Sequence, residues 1–320
     1  MAEWLRAAAG GALGADVPGS EKDVRLPDGR LVSVWDGGDP SGRPVIFFHG
    51  CPDSRRAAVP GHDRASALGV RLVAASRPGY SSSEAPGHTA AIGGNEHLEV
   101  ADDTARLADV LGIGEFAVLG MSVGGPYAVA TAARHPDRVS AAGVVEAPAD
   151  VSKLGPAGHR DRLDAAARAF YASLVTTPAA EAAERMRPEF EAYVAGIAPA
   201  DPDDAALAAR WLATLPPTDA VSLGRLGAAE VARVAREALG RTDGYLRDAA
   251  VTFRPWQFDV AGVRCPVFAW YGDGDDTYSP RNGEWYAEAL GATYTLRRGD
   301  SHLATLLEHW SDMLAVLTTG

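Results

Sequence analysis

The chain has almost no lysine and almost no cysteine. Of its 30 basic residues only Lys22 and Lys153 are lysines, and the rest are arginines. With alanine and glycine abundant, that bias reads as codon composition rather than function. Cys51 and Cys265 are the only cysteines. Two thiols are too few for a disulfide scaffold, and no Cys/His spacing suits a metal. Positive charge is also short: 30 Lys and Arg against 42 Asp and Glu leave a formal net charge of -12. Nucleic-acid binding needs a basic face, so the balance argues against it. No apolar run approaches the roughly 20 residues of a membrane span. The opening MAEWLRAAAGGALGADVPG has one arginine, an early glutamate and no leucine-rich centre of the kind a signal peptide needs. The expectation is a cytoplasmic monomer or homodimer that uses no cofactor and takes a small-molecule substrate, with no nucleic acid or membrane as partner.

What remains is ordinary globular material, 47% apolar and 22% charged over 320 residues. A chain this long buries roughly 75% of its unfolded surface, enough for one large core around a sheet. Short apolar runs ending at Gly, Pro or Asp alternate with helical patterns, which predicts an α/β protein with a mostly parallel sheet covered on both faces. Residues 23–37 read as a hairpin turning at Asp28–Gly29. Further strands are predicted at Pro44–Phe48, Val70–Ala75, Phe116–Leu119, Val139–Val145, Pro266–Tyr271 and Ala292–Leu296. Leu98–Leu111 and Leu303–Leu317 carry apolar residues at three- and four-residue spacing and read as amphipathic helices. Between about 150 and 250 no strand pattern occurs. That stretch reads as short helices broken at Pro178, Pro188, Pro202 and Pro216–Pro217. The predicted organisation is an N-terminal extension (1–22), a core (23–149 and 251–320) and a helical cap (150–250) inserted between two strands.

The sharpest chemistry lies in FAVLGMSVGGPY, Phe116–Tyr127. A strand pattern runs into Gly120-Met121-Ser122-Val123-Gly124 and a helical pattern follows. Serine between two glycines suits a tight strand-to-helix turn that lifts the hydroxyl off the sheet. The helix that follows turns unpaired N–H groups toward that hydroxyl, which favours developing negative charge. A serine needs a base, and the base an orienting carboxylate. His302, in GDSHL between the last strand and the last helix, falls at the sheet edge where Ser122 emerges. His309 lies inside the predicted last helix and reads as structural. The carboxylate candidate is Asp275 in AWYGDGDDTYSP. Asp273 and Asp276 flank it, and Glu146, at the end of another strand, is a second candidate.

VIFFHGCPDSR ends a strand at His49-Gly50. The N–H groups of Cys51 and Val123 are candidates for a two-donor oxyanion hole. Substrate contacts are expected from His49, Tyr80, Trp211 and Trp256, the tryptophans standing in or near the inserted region among other aromatics.

HGCP, GMSVGGPYA, the YGDGDD turn and GDSHL resemble the signatures of the α/β-hydrolase superfamily. With SRPGYSSS and RPWQFDV they resemble a bacterial serine hydrolase branch. The resemblance runs from about Asp23 to the C-terminus and is weakest across the cap. It implies the α/β-hydrolase fold with eight strands, only the second antiparallel. It also implies Ser122 as nucleophile, Asp275 as acid, His302 as base, and Cys51 with Val123 as oxyanion donors. One departure stands out: the loop after the fourth strand begins at Ser76, where relatives carry aspartate. The implied reaction is cleavage of a carboxylic ester, lactone or thioester through an acyl-serine, with an apolar or aromatic substrate group. Alternatives on the same fold are carbon–carbon bond hydrolysis by the same triad, or ligand binding without turnover. Epoxide and haloalkane chemistry would need aspartate where Ser122 stands.

Overall fold

The computed structural model describes residues 18–85, 92, 96–154 and 164–319. Residues 1–17, most of the predicted N-terminal extension and the segment read for a signal peptide, lie outside the described residues. The first strand already begins at Ser20, inside that predicted extension.

Strands β1 (Ser20–Arg25) and β2 (Leu31–Gly38) form the expected hairpin. Its turn needs Gly29 at φ +92°, and Asp28 Oδ1 accepts the N–H of Arg30 at 3.1 Å. Then follow β3 (Arg43–Phe48), β4 (Val70–Ala75), β5 (Phe116–Met121), β6 (Val139–Val145), β7 (Val267–Gly272) and β8 (Thr293–Arg297). The eight lie in one sheet in the order β1-β2-β4-β3-β5-β6-β7-β8. Only β2 runs against its neighbours; every other pair is parallel.

Continuous apolar runs become strands here because both faces are covered. Ile46 and Phe48 pack into one layer with helices Glu96–Val110, Gly124–Arg134 and Arg281–Leu290. Val45 and Phe47 face the other way, against Trp310, Met313 and Leu314. The chain leaves β3 for β4 on one side and then returns to β5 on the other. Loops therefore part at the carboxyl ends of β3 and β5, and the order reversal opens a crevice there.

Two predicted helices differ from expectation. Leu303–Leu317 is two helices, His302–Leu307 and Trp310–Thr318. The periodicity runs on across the break because Leu306, Trp310, Met313 and Leu317 bury into the same layer. At the break His309 is drawn out to Asp300 (Nε2 to Oδ2, 2.7 Å), and Trp310 packs at a tilt against Phe47, 5.2 Å between ring centroids. Pro188 is the second difference: it sits within one helix, Ala179–Ile197, and does not break it. A mid-helix proline costs about 3 kcal/mol. Ala182, Ala183, Met186 and Phe190 keep one buried face on both sides of it, and that burial outweighs the loss.

Among the described residues between β6 and β7, the chain is mostly helical, from Val151–Leu154 to Asp243–Thr252. These helices build two apolar clusters of their own. One centres on Leu207, Trp211 and Val231, and Leu303 and Leu307 of the His302 helix pack against it. The other holds Leu174, Met186, Leu246 and Phe253, with Phe170 and Tyr171 at its margin.

Behind the sheet edge, His97 packs among Tyr127, Trp256 and Phe258. Burial pushes its pKa down to about 3, and the charge of Arg77 adds to the effect. The folded protein thus binds fewer protons at this site than the unfolded chain, so stability falls as pH drops below about 6.5 and stops falling near 3. Unfolding titrations of wild type and His97→Phe at pH 7.5 and 5.0 test this. Wild type should lose about 2 kcal/mol more than the variant over that interval.

Candidate functional site

Ser122 follows the last residue of β5, and helix Gly124–Arg134 begins two residues later. Its φ is +53°, a strained value for serine that costs on the order of 1–3 kcal/mol. The surroundings enforce it. Its N–H donates to Val145 O at 2.8 Å, and its C=O accepts from Gly125 N at 2.9 Å. A Cβ on Gly120 would lie 2.3 Å from Gly124 O, and one on Gly124 would lie 2.1 Å from Phe48 O. Only glycine fits on either side of this turn.

His302 opens the helix after β8, and its Nδ1 bonds Asp275 Oδ2 at 2.7 Å. Asp275 also accepts the N–H of Thr277. Burial pushes the Asp275 carboxyl up, but the charge and hydrogen bond of His302 more than offset this and hold it below the usual aspartate range. Asp273 is used elsewhere, accepting from Gly299 N at 2.6 Å. The other acid candidate, Glu146, is fully buried beside Asp275 at φ +47°. Glu146 Oε1 accepts from Gly272 N and from Thr305 Oγ1 (2.7 Å), whereas Oε2 has no donor to accept from. Burial first, and the Asp275 charge second, push its pKa well above the usual range. Glu146 therefore holds its proton more tightly than a free glutamate does. Glu146, Asp275 and His302 each bring one ligand atom within 4.8 Å of the others, a spacing open to a cation. The His302 Nδ1–Asp275 bond closes that cluster as a hydrogen-bonded chain.

The loop after β3 runs beside the serine: a Cβ on Gly50 would sit 3.5 Å from that of Ser122. Arg77 holds this loop. Its guanidinium donates to the carbonyls of His49 and Gly50, the latter at 2.8 Å, and its N–H donates to His49 Nε2 at 3.0 Å. With Nε2 accepting, the proton of the imidazole is on Nδ1, which donates to Gly50 O at 2.7 Å. Burial, together with Arg77, lowers the His49 pKa well below 6.5, so the ring is neutral. In a trans peptide C=O and N–H point opposite ways. Fixing Gly50 O on Arg77 therefore turns the Cys51 N–H away from Arg77. Neither the Cys51 nor the Val123 N–H has an acceptor among the described residues. Burial pushes the Cys51 thiol well above its ordinary pKa, with the Asp248 charge adding, so the sulfur stays protonated.

Arg77 is itself answered by Asp248, from the inserted helix Asp243–Thr252. Arg77 Nε and an Nη reach the two carboxylate oxygens at 3.0 and 2.5 Å. The hydroxyls of Tyr127 and Tyr80 complete the set at 3.0 and 2.8 Å. Asp219, from helix Pro217–Gly224, makes a second junction. Its Oδ1 accepts from Ser301 Oγ (2.5 Å), Leu303 N (2.8 Å) and Ala304 N (3.2 Å), capping the helix that begins at His302. Neither role shows locally in the sequence. Asp248 gave one signal, a carboxylate standing among Leu246, Ala249 and Val251 where a buried face was due.

Ser122 and His302 share a cavity of about 180 Å³ with Gly50, Cys51 and Asp53. One water needs only about 10–15 Å³, so this is room for an organic group. The inserted helices and their connections wall it with Trp211, Leu215, Leu223, Leu226 and Val234. Of the expected substrate contacts, Trp211 is the one that lines it. Tyr80 and His49 are fully buried under the loop, held by Asp248 and Arg77. Trp256 stacks on Phe258 at 4.9 Å in the sheet's own core.

Breaking one side of the Arg77–Asp248 pair strands a buried charge, which costs about 3–5 kcal/mol. Asp248→Leu should lower unfolding free energy by that order, and Arg77→Met with Asp248→Leu should recover a large part of it. A double-mutant cycle by chemical denaturation checks this, and full additivity would contradict it.

Residues 43–308 match the family of the alpha/beta hydrolase fold. A protein of Mycobacterium phage D29, provisionally named a non-heme haloperoxidase, is 35% identical over 128 residues, 39% of this chain and 43% of that protein. The match thus spans less than half of that relative's length. Among solved structures, an epoxide hydrolase A from Mycobacterium thermoresistibile superposes with a TM-score of 0.63 at 19% identity, over 94% of this chain and 98% of that one. The enol-lactonase from Burkholderia xenovorans LB400 gives 0.61 at 17%, over 93% and 100%. An esterase from Rhodococcus sp. ECU1013 gives 0.61 at 20%, over 94% and 99%. The chain belongs to the α/β-hydrolase fold family.

Proposed function

We propose that the protein is a serine hydrolase that cleaves a carboxylic ester, lactone or thioester. The observation that carries this reading is the His302–Asp275 bond of 2.7 Å at the edge of a cavity that Ser122 also lines. His302 Nε2 takes the hydroxyl proton as Ser122 Oγ attacks the acyl carbon. Asp275 holds the Nδ1 proton and stabilises the imidazolium that forms. The tetrahedral oxyanion lies against the N–H groups of Cys51 and Val123, each such donor being worth about 10²–10³ in rate. The alcohol or thiol leaves with the proton from His302. Water then repeats the sequence on the acyl-serine, and the carboxylate product is released.

The inserted helices serve as the cap. Their Trp211, Leu215, Leu223 and Val234 suit an apolar acyl or alcohol group. The names of the enol-lactonase and the Rhodococcus esterase are in keeping with this chemistry. Serine in place of aspartate at position 122 sets it apart from epoxide opening through an alkyl-enzyme.

A fluorophosphonate probe should label wild-type protein at Ser122, and Ser122→Ala should abolish both labelling and turnover of p-nitrophenyl esters. Undiminished turnover by the alanine variant would remove the covalent mechanism. The acid is tested separately. Asp275→Asn should reduce kcat by about 10⁴, as when a triad carboxylate is neutralised. Glu146→Gln should cost less than about tenfold, because a neutral amide replaces a carboxyl that holds its proton more tightly than a free glutamate does. A reversal of that order in steady-state kinetics would move the acid to the end of β6.

A further inference from the structure

Asp53 is a carboxyl of the cavity to which the described residues supply a single hydrogen-bond donor. It stands two residues after Cys51 and lines the same cavity as Ser122. Asp53 Oδ1 accepts the N–H of Ser54 at 2.7 Å, and among the described residues the carboxyl has no other partner. Arg56 and Asp219, two other charged side chains of the wall, have more partners. Arg56, also in the wall, gives its Nε and Nη2 to Glu230 at 3.0 and 2.7 Å and its Nη1 to Glu21. Asp219 accepts three hydrogen bonds on Oδ1, from Ser301 Oγ, Leu303 N and Ala304 N. The Tyr193 hydroxyl accepts from Trp211 Nε1 at 3.1 Å. The remainder of the cap wall is hydrocarbon. A carboxyl left partly unpaired in such surroundings is costly to the free protein, and a ligand that supplies a donor relieves that cost.

We infer that Asp53 recognises a hydrogen-bond donor, a hydroxyl or an ammonium group, on the substrate cleaved at Ser122. This rests on the serine-hydrolase reading and narrows it: the substrate is apolar against the cap and carries one polar group near the oxyanion loop. The same residue makes the choice of donor depend on pH. Burial pushes Asp53 up to about 7; the Ser54 amide and Arg77 pull it back, and the Glu237 charge pushes further up. Cys51, Arg56, Tyr193, Asp219 and His302 are the other charged or titratable groups on this cavity. Above about 7 the ionised carboxylate pairs with an ammonium group; below it, the neutral acid does not.

Phosphonate probes of matched length, ending in methyl, hydroxyl or ammonium at each of four chain lengths, separate these effects. The readout is the rate of Ser122 labelling by mass spectrometry, in wild type, Asp53→Asn and Asp53→Leu. At one or more lengths wild type should label with the hydroxyl probe at least about tenfold faster than with the methyl probe. In Asp53→Leu that ratio should fall to about one. Asp53→Asn should keep the hydroxyl preference, because its amide oxygen still accepts, and lose any ammonium preference. In wild type the ammonium-to-methyl ratio should rise as pH passes through about 7, since an alkylammonium keeps its charge to about 10. Ionisation of His302 affects all probes alike and cancels in the ratio. Labelling with ratios that are the same in wild type and in both variants overturns the inference and leaves the serine-hydrolase reading standing. No labelling by any probe removes that reading and this inference together.

Discussion

The buried ion pair between Arg77 and Asp248 is the interaction on which the sheet edge depends. Asp248 is 2% exposed, and a lone carboxylate at that depth would not stay ionised. It is met by both faces of the Arg77 guanidinium fork and by two tyrosine hydroxyls. Those donors come from the loop after β4 and from the helix after β5, while Asp248 comes from the inserted helices. Arg77 spends its other donors on the loop after β3. One charge pair thus ties four separate stretches of chain together. Its yield is directional: with the Gly50 carbonyl committed, the next N–H has only one way to face.

The inserted helices are accordingly more than a roof. Through Asp248 they set the loop that carries the Cys51 amide. Through Asp219 they cap the helix that carries His302, and Ser222 binds Glu308 at the other end of that helix at 2.7 Å. Leu303 and Leu307 bury into the insertion's own apolar cluster. Helix capping and apolar contact therefore both hold His302 at its bond to Asp275. A large displacement of these helices would disturb His302 and the loop after β3 at the same time. The two acids add a further constraint. Burial raises the pKa of Glu146 while His302 lowers that of Asp275, so of the two acids Asp275 ionises more readily.

Much of this was legible in advance, for local reasons. A strand covered on both faces is apolar along most of its length, so β4 and β6, interrupted only by Arg71 and Ser140, are readable to the residue. Turns betray themselves by glycine, as at Gly29, and the Ser122 turn by Gly120 and Gly124, which no side chain could replace. The roles that were not legible belong to residues whose partners are far off in sequence. Asp219 caps a helix more than 80 residues later, and Asp248 answers an arginine 171 residues earlier. Tyr80 and Trp256 were misplaced for the same reason: an aromatic ring has the same composition in a pocket wall as in a core. Pro188 misled because propensity is local, whereas the apolar face that holds its helix together is not.

The sequence by itself determined the sheet, its parallel character and the tight turn at Ser122, because strand periodicity and turn chemistry act between near neighbours. Tertiary structure alone decided which acid ionises more readily and which way the Cys51 N–H faces. It also decided which aromatic lines the cavity and that the Asp53 carboxyl there meets a single donor among the described residues. Each of those depends on burial and on charges brought together from distant stretches of chain, and desolvation has no value until the fold has closed around the group.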